Sequence, residues 1–176
     1  SSDDLIVALV NRGAIYWEMS QLRKATDLFH DSLLIVEQTG DDVGRRILYS
    51  IIGVSSWRKG EFFNSIQYFE KALKATSEAK VEHERSQLVP PWKYEILQVV
   101  MERGIEILKN RIHIAQNQND SVRVLLPSFA MVPLMIFTGR KGEVPNLLKE
   151  IVPLAKELKK NKILETITAL EKIIKI

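Results

Sequence analysis

The sequence predicts an all-α chain of stacked helical hairpins, on three observations. Apolar residues recur at three- and four-residue steps through almost every long window, the period of an amphipathic helix. Period-two alternation, the mark of a half-buried strand, is absent. A set of residue types also recurs 40 positions further on: Gly13 and Gly53, Trp17 and Trp57, Ala25 and Ser65, Phe29 and Phe69, Ser32 and Ala72. One hairpin cannot bury both of its faces, so repeats of this length stack on their neighbours.

The elements follow in order. Leu5-Ile6, Leu9-Val10, Gly13 and Tyr16-Trp17 form the first apolar stripe, and Leu22, Ala25, Phe29, Leu33 and Val36 the second. Met19-Ser20-Gln21 breaks the chain between them, with Ser20 as a capping residue. Thr39-Gly40-Asp41-Asp42 connects to a third stripe of Ile47, Ile51-Ile52, Val54 and Trp57, which stops at Arg58-Lys59-Gly60. The fourth runs through Phe62-Phe63, Ile66, Phe69, Leu73 and Thr76. Val89-Pro90-Pro91 breaks the helix before Trp92.

Beyond residue 89 the period is looser. Arg140-Lys141-Gly142-Glu143 echoes Arg58-Lys59-Gly60-Glu61, and a break near Arg103-Gly104 would complete a series at 20, 60, 104 and 142. The expected third hairpin then starts at Trp92 and carries Leu108, Ile112 and Ala115 on its second helix. The alternative is one uninterrupted helix from Pro91 to Gln118, passing through Gly104. Pro145 suits a helix start, whereas Pro127, Pro133 and Pro153 are poor interior residues, and Pro133 and Pro153 predict bends. The expected repeats are 4–40, 41–80, 82–118 and 120–160, closed by a helix over 162–176, within one domain of 1–176.

Small residues at Gly13 and Gly53 let the two helices of a hairpin approach closely. Ala25/Ser65 and Ser32/Ala72 give small contact points on the second helix, with Phe29 and Phe69 filling the space between hairpins. Here the residues resemble a known family. Gly53, Gly60 and Ser65-Ile66-Gln67-Tyr68-Phe69-Glu70-Lys71-Ala72-Leu73 look like a tetratricopeptide repeat, with a second copy in Gly13, Tyr16, Ala25 and Phe29. Ser56 stands where the family favours Tyr, and Arg12 where it favours an apolar residue. The common repeat is 34 residues, so a 40-residue period is similar to the long arrays of maltose-activator-type signal-transduction ATPases and of spindle-orientation and kinesin-light-chain adaptors. The resemblance implies a right-handed superhelical α-solenoid of about four hairpins plus a C-terminal capping helix.

It also implies a concave groove lined by the first helix of each hairpin: Val10, Asn11, Ala14, Trp17 and Glu18 from repeat one, and Ser50, Val54, Trp57 and Arg58 from repeat two. Asn11 matches a position where some family members grip a peptide carboxylate, but the basic partners of that clamp are not evident. Trp17 and Trp57 hold equivalent places, so stacking sets them side by side, as anchors beside Glu18 and Arg58 or as core between hairpins.

Composition excludes several chemistries. The 176 residues hold 25 Lys+Arg, 22 Asp+Glu and no Cys, which rules out disulfides and thiolate catalysis and points to a reducing cytoplasm. No apolar run is long enough to span a bilayer. Ser1-Ser2-Asp3-Asp4 is too acidic for a signal n-region, and the missing start Met suggests a processed chain or a fragment. Charge is uneven, net −2 over residues 1–88 and +5 over 89–176. Lys156, Lys159, Lys160, Lys162, Lys172 and Lys175 alternate with Glu150, Glu157, Glu165 and Glu171, which argues against a nucleic-acid stripe.

His30, His83 and His113 have no partners at ligand spacing. His113 falls on an inward stripe with Leu108 and Ile112, and His83 in the charged stretch Glu82–Arg85. Thr138-Gly139-Arg140-Lys141-Gly142 lacks P-loop spacing and reads as a hairpin turn. Arg45-Arg46 reads as a surface pair, and Asp3-Asp4 and Asp41-Asp42 as helix starts. The expectation is a non-enzymatic module without cofactor or metal that binds a protein or peptide segment, as the recognition arm of a larger signalling or transcription protein. Alternatives are a sensor closing on a sugar-like or nucleotide-like effector, and a homo-oligomer joined through Ile163, Leu164, Ile167, Leu170 and Ile173-Ile174.

Overall fold

The computed structural model of the chain describes residues 1–83 and 91–174. Among these, every regular element is helical: α1 Ser2–Glu18, α2 Leu22–Thr39, α3 Asp42–Arg58, α4 Phe62–His83, α5 Pro91–Asn117, α6 Ser121–Phe137, a 3-10 turn Lys141–Glu143, α7 Val144–Glu157 and α8 Asn161–Ile174. The chain divides into two compact units, Ser1–Val100 and Met101–Ile176. In the first, α1 packs on α2, α2 on α3 and α3 on α4; in the second, α6 packs on α7 and α7 on α8.

One device ends six of the helices. Ser20, Gly40, Gly60, Asn119, Gly139 and Lys159 all adopt left-handed backbone, with φ between 52° and 82°. The amide after each donates to a carbonyl five residues earlier: Gln21 to Tyr16, Asp41 to Val36, Glu61 to Ser56, Asp120 to Ala115, Arg140 to Met135 and Lys160 to Ala155. This six-to-one bond satisfies a carbonyl that the last helical turn leaves open. Ser20 is therefore a C-terminal left-handed residue, not the capping residue that the sequence suggested. Gln21 precedes α2 without a side-chain cap. Asp41 and Asp120 do cap, their carboxylates accepting from the amides of Gly44 and Arg123 at 2.9 and 3.1 Å.

The 40-residue register recurs at the level of atoms. A Cβ on Gly13 would lie 2.5 Å from Cε1 of Phe29, and one on Gly53 would lie 2.6 Å from Cε1 of Phe69. Each glycine thus admits the phenyl ring of its own hairpin's second helix, so Phe29 and Phe69 pack within their hairpins, against the expectation that they fill the space between hairpins. Ala25, Ser65, Ser32 and Ala72 are all fully buried, as small contact points should be. A helix, α8, covers Asn161–Ile174, and Pro145 stands in the first turn of α7.

Three further expectations need correction. The break at Arg103-Gly104 is absent, because α5 continues through a buried Gly104. Met101, Ile105, Leu108 and Ala115 keep one helical stripe running past it, and no capping residue follows the glycine. The turn that ends this helix lies at Asn119-Asp120 instead. Pro127 and Pro133 sit inside α6 and Pro153 inside α7. His113 is exposed, its Nε2 3.4 Å from Nδ2 of Asn117, because Leu108 and Ala115 hold the buried stripe of α5. Phe63 is exposed as well, with Phe69 and Ala72 turned inward on α4. The expected break at 89–90 and the side chain of His83 lie outside the described residues.

Candidate partner-binding surface

The nine residues assigned to a groove divide sharply. On α1, Val10 and Trp17 continue the buried stripe of Ile6 and Gly13. Asn11 and Glu18 are exposed and Ala14 is half-buried. With Ile15, which is 59% exposed, they form an i, i+3, i+4, i+7 face that looks away from the core.

On α3 almost no such face exists. Ser50, Val54 and Trp57 are buried, as is every residue from Ser50 to Trp57, and only Arg58 is partly exposed. No charged residue occurs between Arg46 and Arg58, and from Ile47 to Trp57 every residue but the half-buried Tyr49 is buried. That charge-free run was visible in the sequence and was the signal against a groove wall here. Both indoles are core, Trp17 at 1% exposure and Trp57 at 2%. Trp57 meets Phe62 edge-on at 5.2 Å and Phe69 at 5.7 Å, within its own hairpin. As solvent-facing anchors the two indoles are ruled out in this conformation, because the apolar ring area is worth more against neighbouring helices than in water.

The indole of Trp17 is sealed by a side chain from the next hairpin. The Arg58 guanidinium carbon lies 4.4 Å from its centroid. Nε1 of Trp17 and the hydroxyl of Ser55, one turn before Arg58, are buried without a hydrogen-bond partner. Tyr16 of α1 takes two further cations over its ring, Arg12 of the same helix at 5.9 Å and Lys24 of α2 at 5.3 Å.

A second cluster was not foreseen. His30 of α2 meets Tyr68 of α4 edge-on at 5.8 Å, and Tyr49 of α3 lies 6.2 Å from the same ring. The Lys71 ammonium sits 5.6 Å from Tyr49 and 5.3 Å from Tyr68. Burial holds both phenols above their ordinary pKa, with Glu37 adding to the rise at each. No sequence spacing links these residues, since three helices contribute them.

The apolar residues proposed as an oligomer face are largely spent inside the fold. Ile163, Ile167, Leu170 and Ile174 are buried, and Leu164 and Ile173 half-buried, on α8, which packs against α7. Among the described residues no three His, Asp or Glu side chains converge as a metal site, and no helix is long and apolar enough to cross a membrane. Gly139 and the 3-10 turn that follows it make Thr138–Gly142 a hairpin turn, as its spacing suggested. Neither a protein-family model nor a curated protein sequence matches the chain.

Proposed function

We propose that the first unit is a tetratricopeptide-type recognition module that binds a peptide or protein segment without catalysis, as an arm of a larger regulatory protein. The observation that carries this reading is the pair of equivalent contacts, Gly13 with Phe29 and Gly53 with Phe69, set 40 residues apart. Close helix approach through a small residue, repeated in register, is what an array of hairpins needs in order to stack. The contact surface in this reading is the outer face of α1, with Asn11, Ala14, Ile15 and Glu18, and with Arg58 at its edge. An exposed aliphatic side chain between an amide and a carboxylate supplies an anchor with polar neighbours, the arrangement of small peptide-binding patches.

Selection of peptides from a random display library against the 176-residue chain tests this. The expected result is a selected peptide whose affinity falls about tenfold or more with Ile15→Asp and is unchanged with Lys149→Glu, an exposed control in the second unit. Failure to select any peptide, or peptides indifferent to Ile15→Asp, would overturn the assignment. Circular dichroism melts of both variants establish that the fold is retained.

A further inference from the structure

One side of α2 faces water. Asp27, His30, Asp31, Leu34, Glu37 and Gln38 recur at i, i+3, i+4, i+7, i+10 and i+11, opposite the buried stripe of Ala25, Phe29, Ser32 and Val36. His30 is half-buried and the others are exposed, with Leu34 at the centre 58% exposed. The face runs about 15 Å from Asp27 to Glu37, at about 1.5 Å per residue.

Its chemistry is anionic and aromatic. From Ala25 to Gly40 the chain carries Asp27, Asp31 and Glu37 and no Lys or Arg. Among the described residues none of these carboxylates enters an ion pair. At one edge His30 meets the Tyr68 ring, and Tyr49 lies beside the same ring. Glu37 is near enough to both phenols to raise their pKa. The protein supplies its own cation to this edge. Lys71 is exposed, and its ammonium rests over the two phenol rings, 5.3 Å from the Tyr68 centroid and 5.6 Å from that of Tyr49, without a carboxylate partner among the described residues. Arg45, the other cation facing Tyr49, is held by Asp42. Two phenol rings beside an unpaired carboxylate attract a cation, and a flexible, solvated lysine is one that a partner's cation can displace.

We propose that this face binds a basic segment of a partner protein. One cationic side chain takes the place of the Lys71 ammonium over Tyr49 and Tyr68, an aliphatic residue sits on Leu34, and further cations meet Asp27 and Asp31. Opposite charge selects the partner, and the aliphatic and ring contacts hold it. A segment of about two to three helical turns spans the length of the face. The surface is separate from that of α1 and does not depend on it.

The test is fluorescence anisotropy of the full chain with a labelled peptide, Arg-Leu-Lys-Arg-Leu-Leu-Lys. One control peptide has every Arg and Lys replaced by Glu, the other every Leu replaced by Ser. The basic peptide is expected to bind, with affinity reduced about tenfold by Leu34→Lys and by Tyr68→Leu and unchanged by Ile15→Asp. Lys71→Met should raise affinity about threefold, by removing the competing cation, whereas Lys74→Met, an equal loss of charge from an exposed position on the same helix, should not. The acidic peptide should not bind, and the serine peptide should bind at least about tenfold more weakly. Should Tyr68→Leu fail to fold, Leu34→Lys and Lys71→Met decide the matter, because both side chains are exposed. Absence of binding, equal binding of the basic and serine peptides, indifference to Leu34→Lys, or equal effects of Lys71→Met and Lys74→Met overturns the proposal. Self-association of the chain that Asp31→Lys abolishes would assign the face to a second copy and overturn it too. Loss of binding with Ile15→Asp alone would return the peptide to the α1 surface and leave this face without the role given to it.

Discussion

The guanidinium carbon of Arg58 lies over the Trp17 indole, 4.4 Å from the ring centroid, tying the end of α3 to the end of α1. The two residues stand one position out of register across the 40-residue period, so the end of α1 is covered by a side chain of the second hairpin. Trp17 is almost wholly buried beneath this contact although it sits in the last turn of its helix. A cation over a desolvated indole contributes about 1–2 kcal/mol, partly from the ring quadrupole and partly from the packed aliphatic stem.

Arg58→Ala is accordingly expected to destabilise the first unit by about 1–2 kcal/mol, and Arg58→Lys by less. Urea denaturation followed by fluorescence measures it. A Trp17→Phe background should shrink the effect, since the weaker ring quadrupole leaves less to lose; equal losses in both backgrounds would remove the indole from the explanation.

Gly13→Ala and Gly53→Ala each place a methyl group where a phenyl edge already lies. Each is expected to cost about 1–3 kcal/mol, the usual range for overpacking. Combining Gly13→Ala with Phe29→Leu should give a total smaller than the sum of the single effects, because the smaller side chain makes room. Strict additivity in that double-mutant cycle would mean that the two residues do not meet.

Lys159 holds φ at +53° in a solvent-exposed turn between α7 and α8. A side chain in that region costs about 1 kcal/mol relative to glycine. Lys159→Gly should therefore raise the melting temperature, while Gly139→Ala, at φ +78°, should lower it by a comparable free energy. Differential scanning calorimetry of the two variants checks the opposite signs.

Tyr49 and Tyr68 bear on alkaline stability. Their folded pKa values lie above the ordinary value near 10 because burial disfavours the phenolate, with Glu37 adding to it. The unfolded chain then loses these protons first as pH rises, so stability is full below about pH 10 and declines as pH climbs through the folded values. Tyr49→Phe with Tyr68→Phe should flatten the decline in urea titrations between pH 9 and 11. An unchanged slope would assign the alkaline loss to other groups.

The sequence by itself determined what local chemistry encodes. Helical periodicity, the breaks at Gly40 and Gly60 and the helix start at Asp41 follow from residues a few positions apart, because helix ends are satisfied locally, and the 40-residue recurrence marked Gly13, Gly53, Phe29 and Phe69 without pairing each phenyl with its glycine. The turn at Asn119-Asp120 was equally legible, as a left-handed-tolerant Asn before a capping Asp, whereas Gly104 drew attention for its type alone. Only the tertiary structure decided which faces meet water. Trp17 and Trp57 went inward, α8 spent its isoleucines against α7, and His30, Tyr49 and Tyr68 met from three helices. Burial is set by neighbours brought in from distant parts of the chain, and an apolar stripe states that a face is covered without naming its cover.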